Sequence, residues 1–305
     1  MNMESENLKP VILIGFGRSG TSIIADIVLS HSKLAVISNY NAKYPKNKYV
    51  NLIRLLYRNK LYNIQGQKKQ INKTSLINKF AFKNSEAYSF HNSVNNIDFG
   101  KKFLNDVSLS DSEAAGIRKK YTQIAKYQFK EHLGFKITGP SKIKYLNQIF
   151  PDAYFVYIQR EPLPNVCSLL KVGFYQDRKR DLWWEGNQVY SKKEFDFVRT
   201  NKNRPELIAA LQYYKINYMH QLEMQELRIE DRVITVKYED FIKLPEEQID
   251  RILTFVSLEK DKSIKKFMSN NEIFNRNKKE GHYFSEEIDK EVMQIAINGC
   301  TIGGA

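Results

Sequence analysis

The chain has 305 residues, of which 42% are hydrophobic and 12% aromatic. That is enough to bury a sizeable core and too apolar for a disordered protein. With 48 Lys and Arg against 34 Asp and Glu, the formal net charge is +14, which calls for an acidic partner: an anionic nucleotide, an anionic acceptor, a membrane surface or a nucleic acid. A lysine- and asparagine-rich solvated surface would give the same bulk charge. Cys167 and Cys300 are the two cysteines, too few for a disulfide framework. The five histidines (His31, His91, His132, His220, His282) show no metal-ligand spacing,, so no metal is expected. The polar N-terminus MNMESENLKP lacks the basic region and apolar core of a signal peptide. No apolar run reaches the roughly 18 residues of a membrane-spanning helix, and a cytoplasmic protein is the expectation.

The first element is the apolar run Val11–Ile14, which reads as a buried parallel strand. It breaks at Gly15 and Gly17, passes through Arg18-Ser19-Gly20-Thr21-Ser22, and enters a helical apolar pattern from Ile23, so a helix is expected over about 20–31. A strand–glycine loop–helix turn gathers backbone N–H groups into a concavity at the positive end of the helix dipole, a site for a phosphate-like anion. Gly15 and Gly20 have the Walker A spacing, but Thr21 stands where that motif has lysine,. The nearest cation is Arg18, inside the loop. The turn suits a phosphate-like group without ordinary ATP or GTP chemistry.

Leu34–Ser38 is a second apolar segment. Residues 39–110 read as a mainly helical insertion over one face of the sheet, where an acceptor would be selected; its first part, 39–73, is basic and tyrosine-rich. Helix spacing of Ile117, Tyr121 and Ile124 predicts a helix over 116–132,. Gly134–Thr138 is expected as a strand and Ile143–Phe150 as a short helix. Ala153–Gln159 is a strongly apolar strand with Arg160 at its C-terminal end, and Pro164 opens a helix to about Lys171,. The longest helical pattern covers 205–227. Arg232–Tyr238 is a further strand, 246–257 a further helix, and the glycine-rich tail 298–305 is expected to be flexible,. Strands alternating with helices predict a single α/β domain over 1–305, a P-loop-NTPase-like parallel sheet flanked by helices, with ligands at the C-terminal strand ends.

The segment PDAYFVYIQREPLPNVCSLLKV, Pro151–Val172, is the second distinctive stretch. Ser168 lies eight residues after Arg160, one turn inside the next helix, so guanidinium and hydroxyl can converge on one phosphate. A P-loop NTPase would carry a magnesium-binding aspartate at such a strand end; this chain has Gln159-Arg160. Taken alone, Arg160 also fits an ordinary salt-bridge residue.

GRSGTS near the N-terminus, PDAYFVYIQREPLPNVCSLL in mid-chain and VKYEDF at Val236–Phe241 together resemble the PAPS-dependent sulfotransferase family, PAPS being 3′-phosphoadenosine 5′-phosphosulfate. The resemblance, spread over roughly 11–285, implies a P-loop-type α/β core, PAPS as co-substrate without metal, and sulfuryl transfer to a hydroxyl or amine. It implies that Gly17 to Ser22 (Gly17, Arg18, Ser19, Gly20, Thr21, Ser22) bind the 5′-phosphosulfate and Arg160 with Ser168 the 3′-phosphate. Tyr238 falls on the adenosine side, and Arg276, Lys278 and Gly281 on a basic loop that closes over the 3′-phosphate. Arg18 would also stabilise charge on the transferring group, and Lys136 charge on the leaving oxygen; Lys136 equally fits a lysine at a sheet edge.

A general base must take the acceptor's proton, and the family's usual positions fall near Ser38-Asn39 and Thr138, with neither Glu nor His. Glu86, in NSEAYSF, resembles a replacement found in bacterial-type members, and His91 is the second candidate. Trp183-Trp184 fits either a stacking surface for an adenine or sugar ring or an anchor packing its loop on the core; Cys167 reads as a packing residue. A small-molecule or glycan acceptor follows, the basic, tyrosine-rich 39–110 favouring a saccharide. The alternatives are a P-loop-like nucleotide kinase and a non-catalytic basic anion- or nucleic-acid-binding module. No nucleic-acid-binding pattern is present, and nothing in the chain speaks to oligomeric state.

Overall fold

The computed structural model describes residues 9–56, 82–176, 179–185, 188–271, 273–277 and 281–301. Five strands form one sheet in the order β2-β3-β1-β4-β5: β1 Val11–Gly15, β2 Leu34–Val36, β3 His132–Thr138, β4 Tyr154–Gln159 and β5 Val233–Lys237. Every pair is parallel, with Gly15 opposite Thr138 on one side and Ile158 on the other. The helices used below are α1 Thr21–Val28, α2 Asn39–Lys43, α3 Tyr88–Asn95, α4 Asp111–Gln128, α5 Ile143–Ile149, α6 Pro162–Leu169, α7 Pro205–Leu227, α8 Tyr238–Lys243, α9 Pro245–Phe255 and α10 Glu286–Asn298.

Alternation along the strands divides the core. Ile12, Ile14, Phe135, Ile137 and Phe155 face α4 and α5, meeting Tyr121, Ile124, Ile143 and Leu146. Val11, Leu13, Val156, Ile158 and Val236 face the other way, against Ile24 and Val28 of α1 and Ile249 and Ile252 of α9. Burial on both faces is why these strands are runs of Val, Ile and Phe, each such side chain contributing about 1.5–3 kcal/mol. A third cluster joins α6, α7 and α10 through Val166, Leu169, Leu207, Ala210 and Val292, and takes in Phe16 and Trp184.

Several boundaries differ from those expected. The 116–132 helix begins five residues earlier, at Asp111, because Ser110 and Glu113 form a capping box,; its polar first turn carries no apolar periodicity. α6 starts at Pro162 instead of Pro164, with proline in its first turn. β3 begins at His132, α1 ends at Val28, and Tyr238 opens α8 instead of ending β5. The described parts of 39–110 are mainly helical: α2, a short 3-10 turn Lys48–Leu52, helix Ile53–Leu56 and α3. Residues 57–81, and 302–305 of the expected flexible tail, lie outside the described residues. Among the described residues no helix is long and apolar enough to cross a membrane.

β1 is the point where the strand order reverses: β2 and β3 lie to one side, β4 and β5 to the other. Open α/β sheets bind ligands in the crevice beyond the carboxyl ends of such strands. Here those ends are Gly15, Thr138 and Gln159.

Candidate active site

A cleft of about 1010 Å³ opens at that place. Its floor is the glycine loop. Gly20 has φ 84° and precedes α1; a Cβ there would run into the Tyr238 ring, so Gly20 lets the loop and the start of α8 pack face to face. Arg18 is also left-handed, at φ 72°, a conformation that costs a non-glycine residue about 1–2 kcal/mol. That turn aims its side chain across the cleft, where Arg18 Nε donates to Ser168 Oγ at 3.1 Å.

Arg160 leaves β4 into the same end of the cleft and is only 6% exposed. Its Nη1 donates to the Arg18 carbonyl at 2.8 Å. Its Nε and Nη2 both donate to Asn277 Oδ1, at 3.0 and 2.6 Å, and the guanidinium lies 4.7 Å from the centroid of the Tyr238 ring. Tyr213 holds the Arg160 carbonyl through a hydroxyl bond of 2.7 Å. The Tyr238 hydroxyl accepts from the Arg276 backbone N–H at 3.2 Å, and Asn277 Nδ2 donates to Glu239 at 2.9 Å. Burial, and secondarily Arg276, holds the Arg18 guanidinium below its usual value; burial does the same to Arg160. Guanidinium groups stay protonated in proteins, so this end gathers positive charge that an anion would offset.

Four of the loop residues have distinct roles in the packing. Ser19 is buried and its Oγ accepts from Asn165 Nδ2 at 2.9 Å, tying the loop to α6. Thr21 Oγ1 is buried with no hydrogen-bond partner, beside the first-turn N–H groups that a helix leaves without intrahelical acceptors. Ser22 Oγ accepts from Lys136 Nζ at 2.7 Å. Gly17 lines the cleft next to Trp184.

On the β3 side, Lys136 Nζ is 3.4 Å from Glu86 Oε1, and Thr138 Oγ1 donates to the same carboxylate at 3.0 Å. The Tyr88 hydroxyl donates to the Thr138 carbonyl at 2.9 Å; burial, then the Glu86 charge, push its pKa well up, so it stays a donor. Glu86 sits just before Ala87, itself left-handed at φ 42°, where the chain turns into α3. A strand-end threonine thus holds the carboxylate over the loop.

The structure brings together Gly17, Arg18, Gly20, Thr21, Ser22, Glu86, Lys136, Arg160, Ser168, Tyr238 and Arg276 around one cleft, while Ser19 is buried on Asn165 and is not part of its lining. It leaves His91 out. That ring is fully buried in the aromatic core, stacked on Phe99 with centroids 5.1 Å apart and bonded through Nδ1 to the Tyr121 hydroxyl at 2.6 Å. Burial pulls its pKa down to about 3, and the helical turn of α3 carries it inward while Glu86 faces the cleft. Lys278 lies outside the described residues; Gly281 is exposed at φ 73° and is not part of the cleft lining. Trp184 is an anchor: it is buried against Phe16, with centroids 5.1 Å apart, and Gly139 presses on its indole with no room for a Cβ. Sequence reasoning missed Asn165, Thr138 as a donor, and Asn277; only Asn277 had a signal, lying inside the basic segment singled out for its charges.

A parallel α/β sheet with a glycine loop at its reversal point and arginines following β1 and β4 around it is a frame suited to holding a phosphate-like anion. The sequence profile of the Sulfotransferase family matches residues 10–262, which includes the loop, Glu86, Lys136, Arg160 and Tyr238. The chain belongs to the sulfotransferase family, and its fold is that of its members: a sulfotransferase from Mycobacterium avium superposes with TM-score 0.50 at 14% identity, over 86% of this chain and 67% of that one. A sulfotransferase from Mycobacterium tuberculosis H37Rv gives TM-score 0.49 at 14% identity, over 94% and 76%. No curated protein matches the sequence significantly.

Proposed function

We propose that the protein transfers a sulfuryl group from PAPS to a hydroxyl of a small-molecule or saccharide acceptor. The observation that carries this reading is the pair of anion positions in one cleft: the glycine loop with its buried, unpartnered Thr21 hydroxyl, and the Arg160 fork, held on Asn277, in the cleft that Ser168 also lines. Two separated phosphate positions match a nucleotide with a 5′- and a 3′-phosphate better than a nucleoside triphosphate. Thr21 and the first-turn N–H groups of α1 would take the 5′-phosphate oxygens; Arg160 and Ser168, with Arg276 nearby, would take the 3′-phosphate; Tyr238 and Gly20 would form a flat wall for the nucleoside.

Bound PAPS supplies an activated sulfuryl group whose S–O bond to the nucleotide breaks as the acceptor oxygen bonds to sulfur, leaving adenosine 3′,5′-bisphosphate and a sulfate ester. Glu86 takes the acceptor's proton, oriented by the Thr138 hydroxyl,. Lys136, fixed between Ser22 and Glu86, provides positive charge where the leaving oxygen becomes anionic, and Arg18 where charge spreads over the sulfuryl oxygens. Lys136 and Arg18 do work that a nucleotide kinase gives to magnesium and the Walker lysine; Thr21 stands in that lysine's position. The residues of 39–110 that line the cleft, from Ala42 to Lys101, serve acceptor selection.

The test is calorimetric titration with adenosine 3′,5′-bisphosphate, ADP and AMP without metal. Tight binding that requires the 3′-phosphate is expected. Equal binding of ADP, or no binding, overturns the reading.

A further inference from the structure

Beyond Glu86 the cleft continues along a wall that the nucleotide does not need. Its volume of about 1010 Å³ is at the upper end of the roughly 300–1,000 Å³ typical of ligand pockets, leaving room for a second molecule. This wall holds Tyr88, Asp98, Gly100, Lys101, Phe174 and Trp183.

The cations of the cleft differ in what they touch. Lys136 faces Glu86, Arg160 is held by Asn277, and Arg18 reaches Ser168. The Lys101 ammonium has none of these: it stands 5.2 Å from the centroid of the Trp183 ring, and among the described residues no carboxylate forms an ion pair with it. Its backbone is pinned on both sides. The Lys101 N–H donates to Asp98 Oδ1 at 3.2 Å, and its carbonyl accepts from the Glu185 N–H at 2.8 Å. Asp98 Oδ1 also takes the Gly100 N–H at 2.9 Å, so this oxygen is committed to the turn. Gly100 packs against the Tyr88 ring, which fixes Lys101 relative to Thr138 and Glu86. Next to the ammonium, Phe174 and Trp183 lie with ring centroids 5.4 Å apart at 49°, and Phe174 is 46% exposed.

An aromatic pair open to the cleft is a stacking surface for a ring. A neutral ring settling there would strip water from an ammonium that, among the described residues, forms no ion pair, which opposes binding. An anionic substituent turns the same desolvation into a charge-assisted hydrogen bond. Resting on the sulfotransferase reading above, we propose that Lys101 selects the acceptor: a hydroxylated ring compound that carries its own anionic group, the ring on Phe174 and Trp183 and the anion on Lys101 Nζ. An acidic sugar and a carboxylated phenol share this chemistry.

The experiment uses the full chain saturated with adenosine 3′,5′-bisphosphate, so that binding of the nucleotide is established first and independently. Matched pairs are then titrated: methyl glucuronide against methyl glucoside, and 4-hydroxyphenylacetate against 4-methylphenol. Within at least one pair the charged member is expected to bind about 10- to 100-fold tighter, and the pair that does so identifies sugar or phenol. In Lys101→Met, which keeps the apolar stem over Trp183, that ratio falls to near one; Lys101→Arg restores it. Equal binding of charged and neutral members, binding of neither, or a ratio that survives Lys101→Met overturns the proposal while nucleotide binding stands. Failure of the nucleotide itself to bind overturns the sulfotransferase reading instead, and this proposal with it.

Discussion

Arg160→Ala tests the nucleotide site most sharply. The Nε and Nη2 fork already serves Asn277 Oδ1, while Nη1 anchors the loop through the Arg18 carbonyl. A 3′-phosphate therefore replaces a neutral amide acceptor and does not fill an empty fork. Two hydrogen bonds between charged groups contribute about 1.5–3 kcal/mol each, and two bonds to a neutral amide oxygen about half that, so the net advantage of the phosphate is about 1.5–3 kcal/mol. At 1.4 kcal/mol per tenfold change, Arg160→Ala raises the Kd for adenosine 3′,5′-bisphosphate about 10- to 100-fold. ADP and AMP, which lack the 3′-phosphate, change by less than about threefold. Arg160→Lys keeps the charge without the fork and falls between. Calorimetry with all three nucleotides reads the difference, and a thermal melt separates it from loosening of the loop. If ADP weakens as much as the bisphosphate, Arg160 supports the loop and does not read the 3′-phosphate.

Glu86→Gln keeps an acceptor for Thr138 but cannot take a proton; turnover falls by about 10²–10⁴ with the bisphosphate Kd within about threefold, and unchanged turnover removes Glu86 from the chemistry. The two core histidines give an acid response of definite sign. Burial lowers His91 to about 3 and His220 to about 4, against about 6.5 in the unfolded chain. Between those values the unfolded chain binds more protons, so stability is lost as pH falls below about 6.5 and regained as it rises. At pH 5 each histidine costs about 2 kcal/mol relative to pH 7. Denaturant melts of the protein and of His220→Gln at both pH values check this; an identical slope in the variant refutes it for His220.

The sheet was legible in the sequence because each strand is a short apolar run, and the glycine loop because Gly15, Gly17 and Gly20 interrupt one. Arg160 was legible as a cleft residue by its place at a strand end, and Ser168 by its place one turn into the next helix; that Ser168 bonds to Arg18 and Arg160 to Asn277 was not. What escaped was set by contacts far apart in sequence. Asn165 meets Ser19 across 146 residues and Asn277 meets Arg160 across 117; an asparagine carries no periodicity that would betray either. Glu86 was the first candidate base and His91 the second, and the direction of α3 separates a carboxylate at the cleft from an imidazole in the core. The start of α4 was hidden for a related reason: a capping box is polar, and apolar spacing begins a turn later.

The position of β1 has a consequence for how this chain can diverge. Glu86, Lys101, Lys136 and Thr138 all come from the chain between β1 and β4, folded on the β3 side; Arg160, Ser168, Tyr238 and Arg276 come from β4 onward. β1 is the border between them, and among the described residues Phe174 and Trp183 cross back to the far wall. On the proposed reading, mutations in the described parts of 39–110 can therefore remodel the acceptor side while Arg160, Ser168, Tyr238 and Arg276 stay in place. A recombination within the stretch between Thr138 and Tyr154 would exchange that wall together with the glycine loop, carrying Arg18, the carboxylate and the lysine with it, against an unchanged Arg160 side.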